Sequence, residues 1–232
     1  MTLYAWFWRL LGRWHMPHIR IVNNSKIVTN AQVRAAARAI QVQVRRDFAP
    51  DWGHSATVST RRKTAADWVV SVQDTIDTSG ALGYHDVTGL TPTAIVDVAL
   101  CKHYGLNWTV TLSHEVLEML GDPTCNLVRP YPGGRSVAYE ACDPVEADRC
   151  GYLINGVQVS DFVLQAWFTG APGPYDFTRK LTAPLSLAPG GYVAVLDASG
   201  WHQVFAYSSP GVVSRRELST RVPARGVRSN DD

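Results

Sequence analysis

Apolar residues Val33, Ala37, Ile40, Val44 and Phe48 recur three or four positions apart, the spacing that lines one face of an α-helix. Thr29 or Asn30 supplies an N-cap for that helix, and Asp51-Trp52-Gly53 ends it. Ahead of it Ile19-Arg20-Ile21-Val22 reads as a short strand. Ala56 to Ser59, Asp67 to Asp74 and the β-branched stretch Thr93 to Ala99 read as further strands, and Gly80 to Pro92 between them as a Gly-rich loop carrying His85 and Asp86. A second helix is predicted from Trp108 to Leu120. Asn107 caps it, Val110, Val116, Leu117 and Leu120 form its buried stripe, and Gly121 and Pro123 stop it. Further on, Tyr152 to Val159 with Asn155-Gly156 at its centre is a hairpin signal. Gly190 to Leu196 and Trp201 to Tyr207 read as two more strands around the turn-like Asp197-Ala198-Ser199-Gly200.

The second helix carries the chemistry. In Ser113-His114-Glu115-Val116-Leu117-Glu118, His114 and Glu118 lie four apart and therefore on one face, where both can hold the same ion. Glu115, rotated by about 100°, can reach a water on that ion and serve as general base. The pattern departs from the metalloprotease motif H-E-x-x-H only in its last member, where Glu118 replaces a zinc-binding histidine. A carboxylate ligand adds negative charge, weakens the ion as a Lewis acid, shifts activity to higher pH, and opens the site to calcium or manganese as well as zinc.

A catalytic zinc site needs a third protein ligand. Tyr139-Glu140-Ala141-Cys142-Asp143-Pro144-Val145-Glu146 is a second acidic cluster, in which Glu140 and Asp143 are three apart and both can complete the shell, Glu140 being the first choice. Asp122 lies two turns beyond His114, about 12 Å along a helix axis, and is assigned with Glu146 to a supporting position behind the ligands. Ser160 to Phe168, with Trp167, is aromatic enough to line or cover a cleft. His85, His103 and His202 are outlying candidates; a single histidine in a loop is more often a surface residue than a ligand.

Four blocks in order resemble a known group: the helix motif through Pro123, Tyr139 to Glu146, Val159 to Phe168, and Leu187 to Tyr192. They look like a set of bacterial and bacteriophage proteins that are similar to zincin-like metallopeptidases. The resemblance spans roughly residues 20 to 207. It implies an α+β, zincin-like fold, a mixed sheet with an active-site helix and a hairpin-rich C-terminal part, together with a metal site but no known substrate. The order strand, helix, strands, active helix matches the first half of that fold. Zincin-type enzymes place a strand along the cleft where a substrate backbone can pair with it, and Thr93 to Ala99 is the candidate here. The expected activity is hydrolysis of peptide bonds in a peptide or protein substrate. The alternative is a catalytically inactive structural or binding protein of a virion, with a structural ion or none.

Charge is unevenly distributed. Up to Lys63 there are eleven Lys/Arg against two Asp/Glu, whereas Thr64 to Gly211 carries six against fifteen. The acidic part holds the proposed cation site. The basic part lacks a recognised nucleic-acid motif. Residues 1–17 are aromatic and amphipathic: Trp6, Phe7, Trp8 and Trp14 are interrupted by Arg9 and Arg13, so no apolar run spans a bilayer and no signal peptide is evident. That segment suits a protein partner or an anionic surface. Residues 18–211 form one expected domain, and 212–232, with five Arg and no apolar periodicity, an expected disordered tail. The expectation is a soluble protein, cytoplasmic or virion-associated. Cys101, Cys125, Cys142 and Cys150 contain no C-x-x-C pair, and without an export signal free thiols are the default.

Overall fold

β1 (His18–Asn23) buries Ile19 and Ile21 and leads into α1 (Asn30–Val42). A capping box starts the helix: the Gln32 amide donates to Thr29 Oγ1 at 3.2 Å, and the Thr29 amide donates back to Gln32 Oε1 at 2.8 Å. Such a cap contributes about 1 kcal/mol. The predicted single helix widens into a π turn over Gln43–Phe48 before ending in α2 (Ala49–Trp52), with Gly53 at φ 71°. Val44 and Phe48 stay buried through the wider turn and continue the stripe begun by Val33, Ala37 and Ile40.

Next come β2 (Thr57–Ser59), β3 (Trp68–Gln73), β4 (Ala81–Thr88) and β5 (Thr91–Asp97). With β1 they form a mixed sheet in the order β4-β5-β3-β1-β2, in which only β4 runs antiparallel to its neighbour. Two expectations change here. The stretch from Gly80 to Pro92 is a strand and tight turn, not a loop. β5 starts earlier than predicted and ends at Asp97, whose side chain accepts the Leu100 amide at 2.7 Å and caps α3 (Val98–His103). β5 is also internal, paired on both sides, so it offers no free edge beside a cleft.

The register sets which residues face the helices. Ile21 pairs with Val70, Val70 with Ala94, and Ala94 with His85. Partners in register share a face, so His85 belongs to the same buried row as three core aliphatics. α4 (Trp108–Gly121) packs across β5, β4 and β3 and touches α1. It is buried from Thr109 to Gly121 on every side. Asn107 occupies its N-cap position without a side-chain cap; the Asn107 amide group instead donates to Gln158 Oε1 at 3.1 Å.

The rest of the chain closes over α4. β6 (Val128–Tyr131) and β7 (Arg135–Ala138) form a hairpin, 3₁₀ turns follow at Asp143–Val145 and Asp148–Cys150, and β8 (Tyr152–Ile154) meets β9 (Val157–Val159) through the predicted Asn155-Gly156 turn. Both turn residues have positive φ, 51° and 79°, as a type I′ hairpin requires. After α5 (Gln165–Thr169), β10 (Tyr192–Asp197), β11 (Gly200–Ala206) and β12 (Val213–Glu217) join β7 and β6 in an antiparallel sheet ordered β12-β11-β10-β7-β6. The last strand, β13 (Ala224–Gly226), pairs antiparallel with the outer edge of β4. A stacked Phe48–Trp52 pair, with Phe162, Tyr139 and Phe168 against it, binds the two halves into one apolar core, and Trp52 Nε1 donates to the Val163 carbonyl at 2.8 Å.

This computed structural model describes residues 16–78 and 80–206, with β12 and β13 beyond them. Of the aromatic N-terminal segment, residues 1–17, Met1 to His15 lie outside the described residues, as does most of the tail. Among the described residues the mixed α+β class holds, and no helix is long and apolar enough to cross a membrane. All four cysteines are free thiols.

One buried pair outside the predicted site links the fold to pH. Asp161 accepts the amides of Phe162 and Thr178 and the Thr178 hydroxyl, while Asp176 accepts the amides of Lys180 and Leu181. Burial, then the hydrogen bond to Asp176, pushes the Asp161 carboxyl up to about 8. In the unfolded chain an aspartate titrates at about 3.9. The folded state therefore binds the extra proton between those values, and this contribution is full below pH ~4 and lost as pH rises towards ~8. Asp161→Asn mimics the protonated carboxyl and should flatten the fall in melting temperature between pH ~5 and ~8; an equally steep fall in the variant would show that this pair is not its source.

Candidate metal centre

α4 delivers His114, Glu115 and Glu118 to a position between β4 and the Glu140–Glu146 segment. His114 is 0 % exposed, Glu115 0 % and Glu118 2 %, and Glu140 and Asp143 are each 4 % exposed. His114 Nε2 stands 3.0 Å from Glu118 Oε2 and 3.2 Å from Asp143 Oδ1. Donors bound to one tetrahedral zinc at 2.0–2.2 Å are separated by roughly 3.3–3.6 Å, so each of these imidazole–carboxylate pairs is close to the spacing of two donors on one ion, and the Cys142 thiol groups with His114 and Glu118 as well. Glu118 also fixes the loop that carries Asp143: its Oε1 accepts the Cys142 amide at 3.0 Å and the Asp143 amide at 3.3 Å. Gly191, at the entry to β10, lies so close to this loop that a Cβ there would run into the Pro144 carbonyl, and the Ala188 amide donates to the same carbonyl at 2.9 Å.

His85 reaches the same centre from β4. It is 1 % exposed, with Nδ1 3.5 Å from Glu115 Oε2 and 3.8 Å from Glu118 Oε2, and Nε2 3.7 Å from Glu140 Oε2. Neither nitrogen of His85 or of His114, and neither oxygen of Glu115, makes an aligned hydrogen bond. Buried polar atoms in native proteins are nearly always satisfied. Three such groups converge on one volume, where they could hold a cation.

The electrostatics agree. Burial, the largest single influence on each imidazole, opposes its charge, yet Glu140 with Cys125 and Glu115 raises His85 well above its ordinary value. Glu118 and Asp143 do the same for His114. Burial and then the charge of Glu118 push Asp143 up to about 6. Without a cation the cluster therefore holds protons in its place, and ion binding has to release them. Cys142, whose thiol lies 3.9 Å from the His114 carbonyl, is pushed up by burial and by Glu118.

The other predicted residues fall around this group. Asp122 ends α4 and accepts the Leu127 amide at 2.8 Å. Glu146 is 5 % exposed beside Tyr192, a residue of β10 whose hydroxyl bonds Asp143 and whose ionisation is opposed first by burial and then by Asp143, Glu146 and Glu118. Trp167 is 0 % exposed in the apolar core, with Nε1 donating to the Ser186 carbonyl at 2.8 Å. His103 is exposed at the end of α3, and His202 faces Asp197 at 3.7 Å on β11. Tyr192 is the member that reading the sequence missed, and His85 was given only an outlying place as a loop residue. The signal for His85 was the alternation Ala81, Gly83, His85, visible only once the segment is taken as a strand.

Comparison of the chain with protein-family models, with curated proteins and with solved structures finds no match.

Gly83 explains how α4 approaches β4 so closely. A Cβ added there would sit 2.8 Å from the Ile95 carbonyl oxygen, 2.9 Å from Glu115 Oε1 and 2.9 Å from Thr111 Cγ2. Gly83→Ala should lower the unfolding free energy in chelator by about 1–3 kcal/mol, read from urea denaturation. An unchanged midpoint would mean that strand and helix have room the geometry denies.

Proposed function

We propose that this chain is a metal-dependent hydrolase of zincin-like design that cleaves peptide bonds. The observation that carries this reading is the set of His114 Nε2, Glu118 Oε2 and Asp143 Oδ1, spaced at 3.0 and 3.2 Å on unaligned, buried groups with Glu115 alongside. The mixed sheet with antiparallel β4 next to α4 supports the zincin-like frame. Imidazole and carboxylate together suit zinc or manganese better than calcium, which takes oxygen ligands.

His114, Glu118 and Asp143 would hold the ion, while Glu140 faces the opposite nitrogen of His85 at 3.7 Å. When bound, a divalent ion there polarises a carbonyl and makes a neighbouring water acidic at neutral pH. Glu115 takes the proton of that water and passes it to the leaving amine. Tyr192, held against Asp143, keeps that carboxylate turned inwards. The enclosure excludes bulk water, which strengthens each of these electrostatic contacts.

A second reading, a structural ion without catalysis, draws on one observation: Glu115 is fully buried. The same experiment separates the two. Elemental analysis of protein purified without an affinity tag should find bound divalent ion, lost in Glu118→Ala. Glu115→Gln should keep ion at the His114 set and lose about 10²–10⁴-fold in hydrolysis of an unfolded protein substrate. Metal-loaded wild type that hydrolyses nothing, but melts lower in chelator, selects the structural reading; full hydrolysis by Glu115→Gln removes the base assignment.

A further inference from the structure

The two imidazoles of the centre do not occupy one nest. His114 with Glu118 and Cys142, and His85 with Glu115 and Glu118, form two groups, within each of which the ligand atoms lie no more than 4.8 Å apart. Glu118 belongs to both. Its Oε2 is 3.0 Å from His114 Nε2 on one side and 3.8 Å from His85 Nδ1 on the other. We propose that the centre binds two divalent cations, one held by His114, Glu118 and Asp143 and the second by His85, Glu115 and Glu118, with Glu118 Oε2 shared between them.

Three observations carry this step, which rests on the metal-binding part of the reading above and not on hydrolysis. The first is charge. Glu115, Glu118, Glu140 and Asp143 all stand within 3.8 Å of the two imidazoles and all are at least nine-tenths buried. With both imidazoles neutral as ligands, two divalent ions match the four carboxylates in charge, whereas one ion leaves the balance to protons retained on His85 or on a carboxyl. An uncompensated buried charge costs several kcal/mol.

The second is His85 itself. A histidine placed for packing alone would satisfy at least one ring nitrogen by hydrogen bonding. His85 is 1 % exposed, both its nitrogens lack an aligned partner, and its row in the sheet aims it at α4. The third is distance: Glu118 Oε2 stands 3.0 Å from His114 Nε2 and 3.8 Å from His85 Nδ1, so one carboxylate oxygen is within reach of both nests. Glu115 contributes Oε2 to the second ion, while its Oε1 turns towards Gly83 and stays available to a proton.

The test uses full-length protein stripped with chelator and dialysed against zinc or manganese alone. Metal per chain is measured by mass spectrometry for the wild type, His85→Gln and His114→Gln, each checked for native circular dichroism. Two ions in the wild type and one in each variant are expected. The manganese-loaded wild type should also give an exchange-coupled electron paramagnetic resonance spectrum, an observation that needs no variant. One ion per chain with an uncoupled spectrum overturns the second site and leaves the first intact. No ion in the wild type overturns both this inference and the metal-dependent reading.

Discussion

Glu118 works from both of its oxygens, and the centre depends on that division. One oxygen accepts the amides of Cys142 and Asp143 and so fixes the backbone of the acidic loop; the other faces His114 and His85. A histidine in its place, as the commoner motif has, would offer a neutral ring with a single acceptor nitrogen. It could bind an ion or receive the loop but not both. The departure from H-E-x-x-H is thus tied to how the loop is held. The position of Asp143 follows from the same bonds, because Asp143 is the residue whose amide Glu118 captures.

Gathering carboxylates in a buried volume works against folding, since desolvation and mutual repulsion both disfavour their charged forms. The surroundings resist the resulting spread on every side. α4 is buried around its whole circumference, Gly83 lets the helix lie hard against β4, and Gly191 lets β10 close on the Pro144 carbonyl. The Phe48–Trp52 stack and its aromatic neighbours join α2 to the segment beyond the acidic loop. Rigid packing of this kind holds ligands in place while an ion is absent, and it is the condition under which ion binding gains most from the geometry.

What could be read from the sequence follows from range. The α4 segment and the pair His114 and Glu118 were legible because helical spacing is a local property. So was the Asn155-Gly156 hairpin, whose turn chemistry is written in two adjacent residues. His85 was legible only as an outlying candidate. Gly80, Gly83 and Gly89 make its neighbourhood look like a loop, whereas Gly83 stands within the strand where a side chain would run into Glu115 and Thr111, residues far along the chain. Glu140 read as the first choice for third ligand and Asp143 as the second, since their three-residue spacing suits both; Asp143, not Glu140, stands beside His114, placed there by the Glu118 bonds and Tyr192. Trp167 shows the opposite error of emphasis: an aromatic segment reads equally well as cleft wall or core, and this one fills the core.

On the proposed peptidase reading, access sets the remaining condition. The point of β4 nearest Glu115 is Gly83, and the outer edge of β4 at that point is already paired, with Ala224 opposite Tyr84 and Arg225 opposite Gly83. A peptide adding to this edge as an extra strand would need the same backbone donors and acceptors. It therefore competes with the chain's own C-terminal strand. β13 is three residues long, and its register slips between Arg225 and Gly226. So short a ladder contributes few hydrogen bonds, each worth only about 0.5–1.5 kcal/mol net. On that reading a longer substrate strand bonding along more of β4 outweighs it, so the edge beside the candidate centre is occupied without being closed.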